Sequence, residues 1–282
     1  MRWFCLLLAA CAEPPFEIET DDPRGPGPAV LAPVIVDAGA PTWPRALAPL
    51  VQLPVAVEAP KRKWRVLIDA GHGAKDNHGN TGLHCQRERD VTLSIAFGLA
   101  TRLNLMGPFE ARLAREDEAE PSYQARKVLA EVWPADAVVS LHTDVRGEAK
   151  PFIEGSCMSW RNDARPGFSV LWSDEGTAAL GSKRQRLSWA ITDALSAAGF
   201  KAYDGVDYVG LYDSEPEHVG SFINRRNHGK RIWFLRSLEV PAVIVETHHA
   251  LDFDEVERWS EMRTRNVFAY AIAKGLLDYF AE

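Results

Sequence analysis

A chain of 282 residues allows one or two domains, and a content of 46% hydrophobic and 25% charged residues supplies a sizeable core. The net charge of −7 argues against a protein that grips nucleic acid along its phosphates, because that task takes a concentrated basic face. No apolar run in the sequence reaches the roughly 18 to 20 residues needed to cross a bilayer.

Met1-Arg2 supplies a positive start, and Trp3 to Ala10 is a short apolar run ending in small residues. Residues 1–10 therefore read as a secretion signal. Leu8-Ala9-Ala10-Cys11 resembles a bacterial lipobox, with Cys11 as the lipid-bearing first residue of the mature chain. An ordinary signal peptide cut nearby is the alternative. Residues 11–62 are dotted with prolines, which block helix interiors and sheet ladders, so an extended tether is expected there. Together these features place the protein outside the cytoplasm, in the periplasm and anchored by lipid to the outer membrane, with that anchor as its membrane contact. Lys61-Arg62-Lys63 reads as a solvated domain edge. Of the 4 cysteines, Cys85 and Cys157 remain for the folded part. Export permits a disulfide between them, and two free thiols are an equal reading. Neither has CxxC spacing, which argues against a cysteine zinc knuckle.

Residues 63–282 are expected to form one domain. Arg65 to Asp69 is an apolar strand leading into the turn Ala70-Gly71-His72-Gly73. Residues 77–86 read as loop. Val91, Leu93, Ile95, Leu99 and Leu103 recur at helical spacing over 90–105, and Gly107-Pro108 ends that helix. Phe109 to Leu113 reads as a strand, Tyr123 to Val132 as a helix, and Ala137 to Leu141 as a strand ending at His142. Alternating strands and helices predict an α/β fold with a mostly parallel sheet. Further on, Ile153 to Ser159 and Phe168 to Leu171 are candidate strands, and Leu187 to Ala198 is a candidate helix. Gly205 to Lys230 reads as a long loop over the site, and order returns at Ile232 to Leu235. Pro241 to Glu246 reads as a buried strand ending in a carboxylate, followed by a last helix over Thr264 to Tyr279.

In a parallel sheet, ligands gather beyond the carboxyl ends of strands. His72 and His142 both fall there. Taken singly, each is an unremarkable turn or core histidine, and Glu88 is a helix-start carboxylate that complements the macrodipole. Combined, two histidines and a glutamate make the open three-ligand zinc set of hydrolytic sites. Glu246, on another strand, is placed to shuttle a proton to a leaving nitrogen.

These segments, in this order, resemble the catalytic domain of type 3 N-acetylmuramoyl-L-alanine amidases. The likeness rests on Val66 to Gly73, Arg87 to Leu93, Leu113-Ala114-Arg115 with Arg126, Ala135 to Asp144, and Pro241 to Thr247. It extends over about residues 64–280. The resemblance implies a single α/β domain with a sheet of about six strands. It also implies zinc as cofactor, His72, Glu88 and His142 as ligands, and Glu246 as the catalytic carboxylate. Peptidoglycan would be the substrate, and an activator protein is a compatible partner. Arg115 and Asp144 are candidate substrate contacts. The pattern departs after Thr247, where the family carries Gly-Phe and this chain has His248-His249; packing or solvent exposure is expected for them, with a substrate contact or a stray metal as the alternative. Residues 145–235 match weakly, and His78, His84, His218 and His228 have no family counterpart. Two other readings remain: another zinc peptidase or amidohydrolase on a related scaffold, or a non-catalytic wall-binding lipoprotein.

Overall fold

The computed structural model describes residues 48–55, 62–116, 119–227 and 230–281. The expected signal segment, the expected lipidation site Cys11 and His228 lie outside these residues.

The chain runs through β1 (Trp64–Ala70), α1 (Glu88–Leu105), β2 (Phe109–Leu113), α2 (Tyr123–Val132) and β3 (Ala137–Asp144). A hairpin follows, β4 (Lys150–Glu154) with β5 (Cys157–Arg161), then β6 (Ser169–Trp172) and α3 (Ala178–Ala197). The remainder is β7 (Tyr212–Ser214), β8 (Ser221–Asn224), α4 (Trp233–Ser237), β9 (Ala242–His249), α5 (Phe253–Ser260) and α6 (Met262–Ala281). Seven strands form one sheet in the order β2-β1-β3-β9-β6-β8-β7, and β4-β5 stands apart. Pairing is parallel except for β6 with β9 and β7 with β8, so the sheet is mixed and mostly parallel as expected.

Both faces of the sheet are covered, which is why its central strands are apolar at successive positions. Val66, Ile68, Val139 and Val245 point into a core with α1, α3 and α6, as shown by Ile95, Ile191 and Ile272 in the same cluster. Leu67, Val138 and Ile244 point the other way, onto Ala130 of α2, Phe234 of α4 and the tyrosines 203, 208 and 212.

Four readings of the sequence are corrected. The strand expected over 153–159 is a hairpin turning at Gly155, whose φ of 57° suits glycine. The helix expected from Leu187 begins at Ala178, after a Thr177 side chain that caps Leu180 N. Within the expected loop 205–230, β7 and β8 extend the sheet; strands of 3 and 4 residues carry no readable alternation and exist because β6 and each other are there to pair with. Finally, residues 48–55 of the expected tether pack on the domain. Leu50 and Val55 are buried in the core, and Val51 N donates to Ala198 O at 3.0 Å, because this stretch carries enough apolar area to repay its ordering.

Cys85 and Cys157 form a disulfide, with Cα atoms 5.8 Å apart. It fastens β5 to the loop just before α1, alongside Ser159 Oγ donating to Gly82 O at 2.8 Å. His84 adds to the clamp, reaching Glu154 of β4 at 2.5 Å and Glu257 of α5 at 2.9 Å. The opposite face of the hairpin carries Pro151, Ile153, Met158 and Trp160 towards solvent. The bridge closes a loop with a sequence separation of 72. Replacing both cysteines by serine is expected to cost about 2–4 kcal/mol of stability. Urea unfolding curves of the two proteins, under non-reducing conditions, check this; coincident midpoints would refute it.

Candidate active site

β1 delivers the chain to the turn Gly71-His72-Gly73 at the carboxyl edge of the sheet. His72 sits at φ 60°, a left-handed conformation that costs a non-glycine residue about 1–2 kcal/mol. Two buried arginines hold it there. Arg126 pairs with buried Asp69 at 2.9 Å and donates to the carbonyls of Ala70 (2.9 Å) and His72. Arg115 donates to Arg89 O at 2.7 Å and reaches the carbonyls of Ala70 and Gly71 at 3.4 Å. Ser140 on β3 gives its hydroxyl to the second Asp69 oxygen at 2.6 Å. The turn is thus tied to three elements before any ligand is considered.

Glu88 opens α1 beside this turn. Its Oε2 accepts from Asn80 N (2.9 Å) and Asn80 Nδ2 (2.8 Å), and its Oε1 accepts from Thr143 N (3.0 Å). His72 Nε2 lies 3.1 Å from Oε2, and His142 Nδ1 lies 3.1 Å from Oε1. Burial opposes ionisation of Glu88, but the hydrogen bonds and charges of His142 and His72 outweigh it and hold the carboxyl well below its usual range. The other ring nitrogen of His72, Nδ1, donates to Asn77 Oδ1 at 2.7 Å, which fixes the ring so that Nε2 is the nitrogen turned towards Glu88 and available to a metal.

Glycines permit this crowding. A Cβ at Gly71 would stand 2.5 Å from the His142 ring, and one at Gly79 would stand 2.5 Å from Glu88 Oε2 and 2.7 Å from His72 Cδ2. The ligand-type atoms of His72, Glu88 and His142 all lie within 4.8 Å of one another, the single group of this kind among the described residues. Tetrahedral zinc with bonds near 2.1 Å sets its ligand atoms about 3.4 Å apart, so two nitrogens at 3.1 Å from one carboxylate suit such an ion.

Parallel pairing of β3 with β9 sets Glu246 directly beside His142. Both residues lie inside strands that run on to Asp144 and His249, rather than just past or at the strand ends expected for them. Glu246 Oε2 is buried without a hydrogen-bond partner. Burial pushes its carboxyl well above the ordinary value, the charges of Asp144 and Glu88 push the same way, and Arg146 and Arg226 oppose them. A carboxyl so placed holds a proton more tightly than a free glutamate does. The four residues line one cleft of about 500 Å³, together with Asn80, Tyr123, Asp144, Tyr212, Arg226, Trp233 and Phe234.

Comparison with known proteins places this geometry. A family model described as N-acetylmuramoyl-L-alanine amidase matches residues 66–278. The chain belongs to that family. It is 23% identical over 235 residues to the N-acetylmuramoyl-L-alanine amidase AmiC of Escherichia coli O6:H1, covering 77% of this chain and 53% of that one. AmiA of Escherichia coli K12 is 26% identical over 224 residues, covering 76% of this chain and 75% of that protein. The chain thus spans about half the length of the AmiC relative it matches. Among solved structures, the amidase Ami1 of Mycobacterium smegmatis superposes with a TM-score of 0.61 at 18% identity, covering 78% of this chain and 98% of that one. At that identity the likeness speaks for the fold.

Within this amidase-family domain, Arg115 is not a cleft residue. It is 2% exposed behind the Gly71-His72-Gly73 turn, where the carbonyls of Ala70, Gly71 and Arg89 occupy its guanidinium. Asp144 does line the cleft, but Arg146 Nε (2.7 Å), Val145 N (2.8 Å) and the Tyr208 hydroxyl already engage its carboxylate. His248 and His249, where the family pattern departs, are both buried. His248 stacks on Trp259 with ring centres 5.1 Å apart, and burial above all, with His249 nearby, pushes its imidazole down to about 3. His249 Nδ1 lies 3.2 Å from Asp144 O. These are packing residues, in accord with the expectation. His218 stacks on Trp189 away from the cleft, and His78 is exposed. Sequence reasoning missed Asn77, Asn80, Tyr212, Arg226 and Trp233. The first two sit in a polar loop with no periodicity, Tyr212 and Arg226 fall in the stretch 205–230 that reads as loop, and Trp233, in a segment where order was expected, has no side-chain chemistry that marks it as a site residue.

Proposed function

We propose that this protein hydrolyses the amide between N-acetylmuramic acid and L-alanine of the peptidoglycan stem peptide, with zinc held by His72, Glu88 and His142 and with Glu246 as the catalytic carboxylate. The observation that carries this reading is the convergence of two imidazoles and a carboxylate beside an unpartnered glutamate in one cleft. Family membership supports it.

When bound, zinc polarises a carbonyl oxygen and brings the pKa of a coordinated water towards about 7. The chain's own groups do the rest. Glu246 Oε2, free of protein donors, takes a proton from the attacking water as its oxygen bonds to the lactyl carbonyl carbon. Glu246 then gives that proton to the nitrogen as the C–N bond breaks, leaving a carboxyl on the sugar and an amine on the peptide. The apolar side of the cleft, from Ile232, Trp233 and Phe234, excludes water around the amide.

The reading also places the protein outside the cytoplasm, with Cys11 lipidated at the outer membrane. The Cys85–Cys157 disulfide supports an oxidising compartment. Purified protein should contain one zinc per chain and release stem peptides from sacculi. Release of a terminal amino acid instead, by mass spectrometry of the products, would overturn the bond assignment.

Asn77 offers a graded test of the metal assignment. Asn77→Ala removes the partner of His72 Nδ1 and is expected to weaken zinc binding about 10- to 100-fold. Competition with a zinc-selective chelator reads this out; an unchanged dissociation constant would sink the assigned role.

A further inference from the structure

Arg226 lines the same cleft as the histidine–glutamate cluster, and among the described residues no other arginine and no lysine does so. Its neighbours in sequence are neutralised: Arg225 pairs with Asp174 at 2.6 Å and Asp213 at 2.8 Å, and Arg231 pairs with Glu175 at 3.1 Å. Arg146, close by, is taken by Asp144 at 2.7 Å. Arg226 forms no ion pair among the described residues, and its Nε is buried without a hydrogen-bond partner.

The residue is nonetheless firmly placed. Its backbone N–H donates to Asn224 Oδ1 at 3.2 Å, directly after β8, and its carbonyl accepts from Arg231 Nε at 2.9 Å. The guanidinium carbon lies 5.0 Å from the centre of the Tyr212 ring, which supports the planar group on its face. A fixed, unneutralised guanidinium presents a fork of donors matched to a carboxylate. No ion pair joins Arg226 to Glu246 among the described residues, although the arginine's charge favours the ionised form of that carboxyl from across the cleft.

We propose that Arg226 determines specificity by receiving a free carboxylate on the peptide side of the substrate, so that the enzyme prefers stem peptides with an ionised carboxyl near the scissile amide over amidated ones. The inference rests on the amidase reading. Peptide carboxyls are the acidic groups such a substrate retains once the sugar acid is bound up as an amide. An arginine in the cleft therefore selects on the peptide rather than on the glycan.

The test uses two probes, a muramoyl dipeptide with a free carboxylate and the same compound with that group amidated. Zinc-loaded wild-type protein should hydrolyse the acid with kcat/KM about tenfold or more above the amide, the difference lying mainly in KM. Arg226→Ala should remove that preference by lowering kcat/KM for the acid, and Arg226→Lys should restore part of it. Binding of both probes to the zinc-loaded Glu246→Gln protein, followed by the fluorescence of cleft residue Trp233, should show the same order. Equal treatment of the two probes by the wild type would overturn the proposal. A parallel loss on both in Arg226→Ala would also overturn it, since the arginine would then be acting through Glu246. Selective binding of the acid with no hydrolysis of either probe would uphold the carboxylate site and refute the amidase reading.

Discussion

Glu246→Gln is expected to lower turnover of sacculi about 10²- to 10⁴-fold while leaving zinc content and thermal stability near those of the wild type. The argument is one of placement. Glu246 is set beside His142 by the β3–β9 register, and its Oε2 has no donor from the protein. A structural carboxylate at such a site would be hydrogen-bonded, as Glu88 and Asp69 are. Burial raises its proton affinity, with Asp144 and Glu88 adding to the effect, so it can hold a proton between the two halves of the reaction. Glutamine keeps the volume and loses that capacity. The measurement is peptide release per zinc-containing molecule, with metal content determined on the same sample. Retention of more than a tenth of wild-type activity would remove Glu246 from the proton pathway.

His142→Ala is expected to have the larger structural consequence. It removes one of three ligand-type side chains and leaves Glu88 Oε1 with Thr143 N alone. Zinc content after dialysis should fall from one per chain towards zero, and activity should become undetectable. The same variant opens space beside Gly71, whose backbone the imidazole contacts closely. Circular dichroism should therefore accompany the assay, to show that the sheet survives. A fully zinc-loaded His142→Ala protein would mean that the ion sits elsewhere. Treating wild-type protein with a chelator should reproduce the loss of activity, and adding zinc back should restore it in wild type but not in the variant.

Much of the catalytic face was legible in the chain. Phe109–Leu113 and Tyr123–Val132 have the bounds their sequence patterns indicate, and Glu88 does begin a helix. Those elements are long enough, or flanked by clear enough stops at Gly107-Pro108, for periodicity to mark them. The residues proposed to carry the chemistry, His72, Glu88, His142 and Glu246, could be singled out because their types and order have a joint chemical meaning. Arg115 shows the limit of that reasoning. An arginine after a strand reads equally as a substrate contact or as a strut, and only its burial against three carbonyls decides for the strut.

The sequence by itself determined which side chains could form a zinc set and that they would fall near the edge of a mostly parallel sheet. The reason is that strand-turn-helix patterns are local and their hydrophobic periods survive in the chain. The tertiary structure alone decided the rest. It joined Cys85 to Cys157 across a separation of 72, folded residues 48–55 back onto the core, and built β7 and β8 from segments too short to show a period. It also brought Arg226, without a counter-ion among the described residues, into the cleft with Glu246. Each of these outcomes depends on contacts between segments distant in sequence, where the free energy lies in pairing and burial rather than in local propensity.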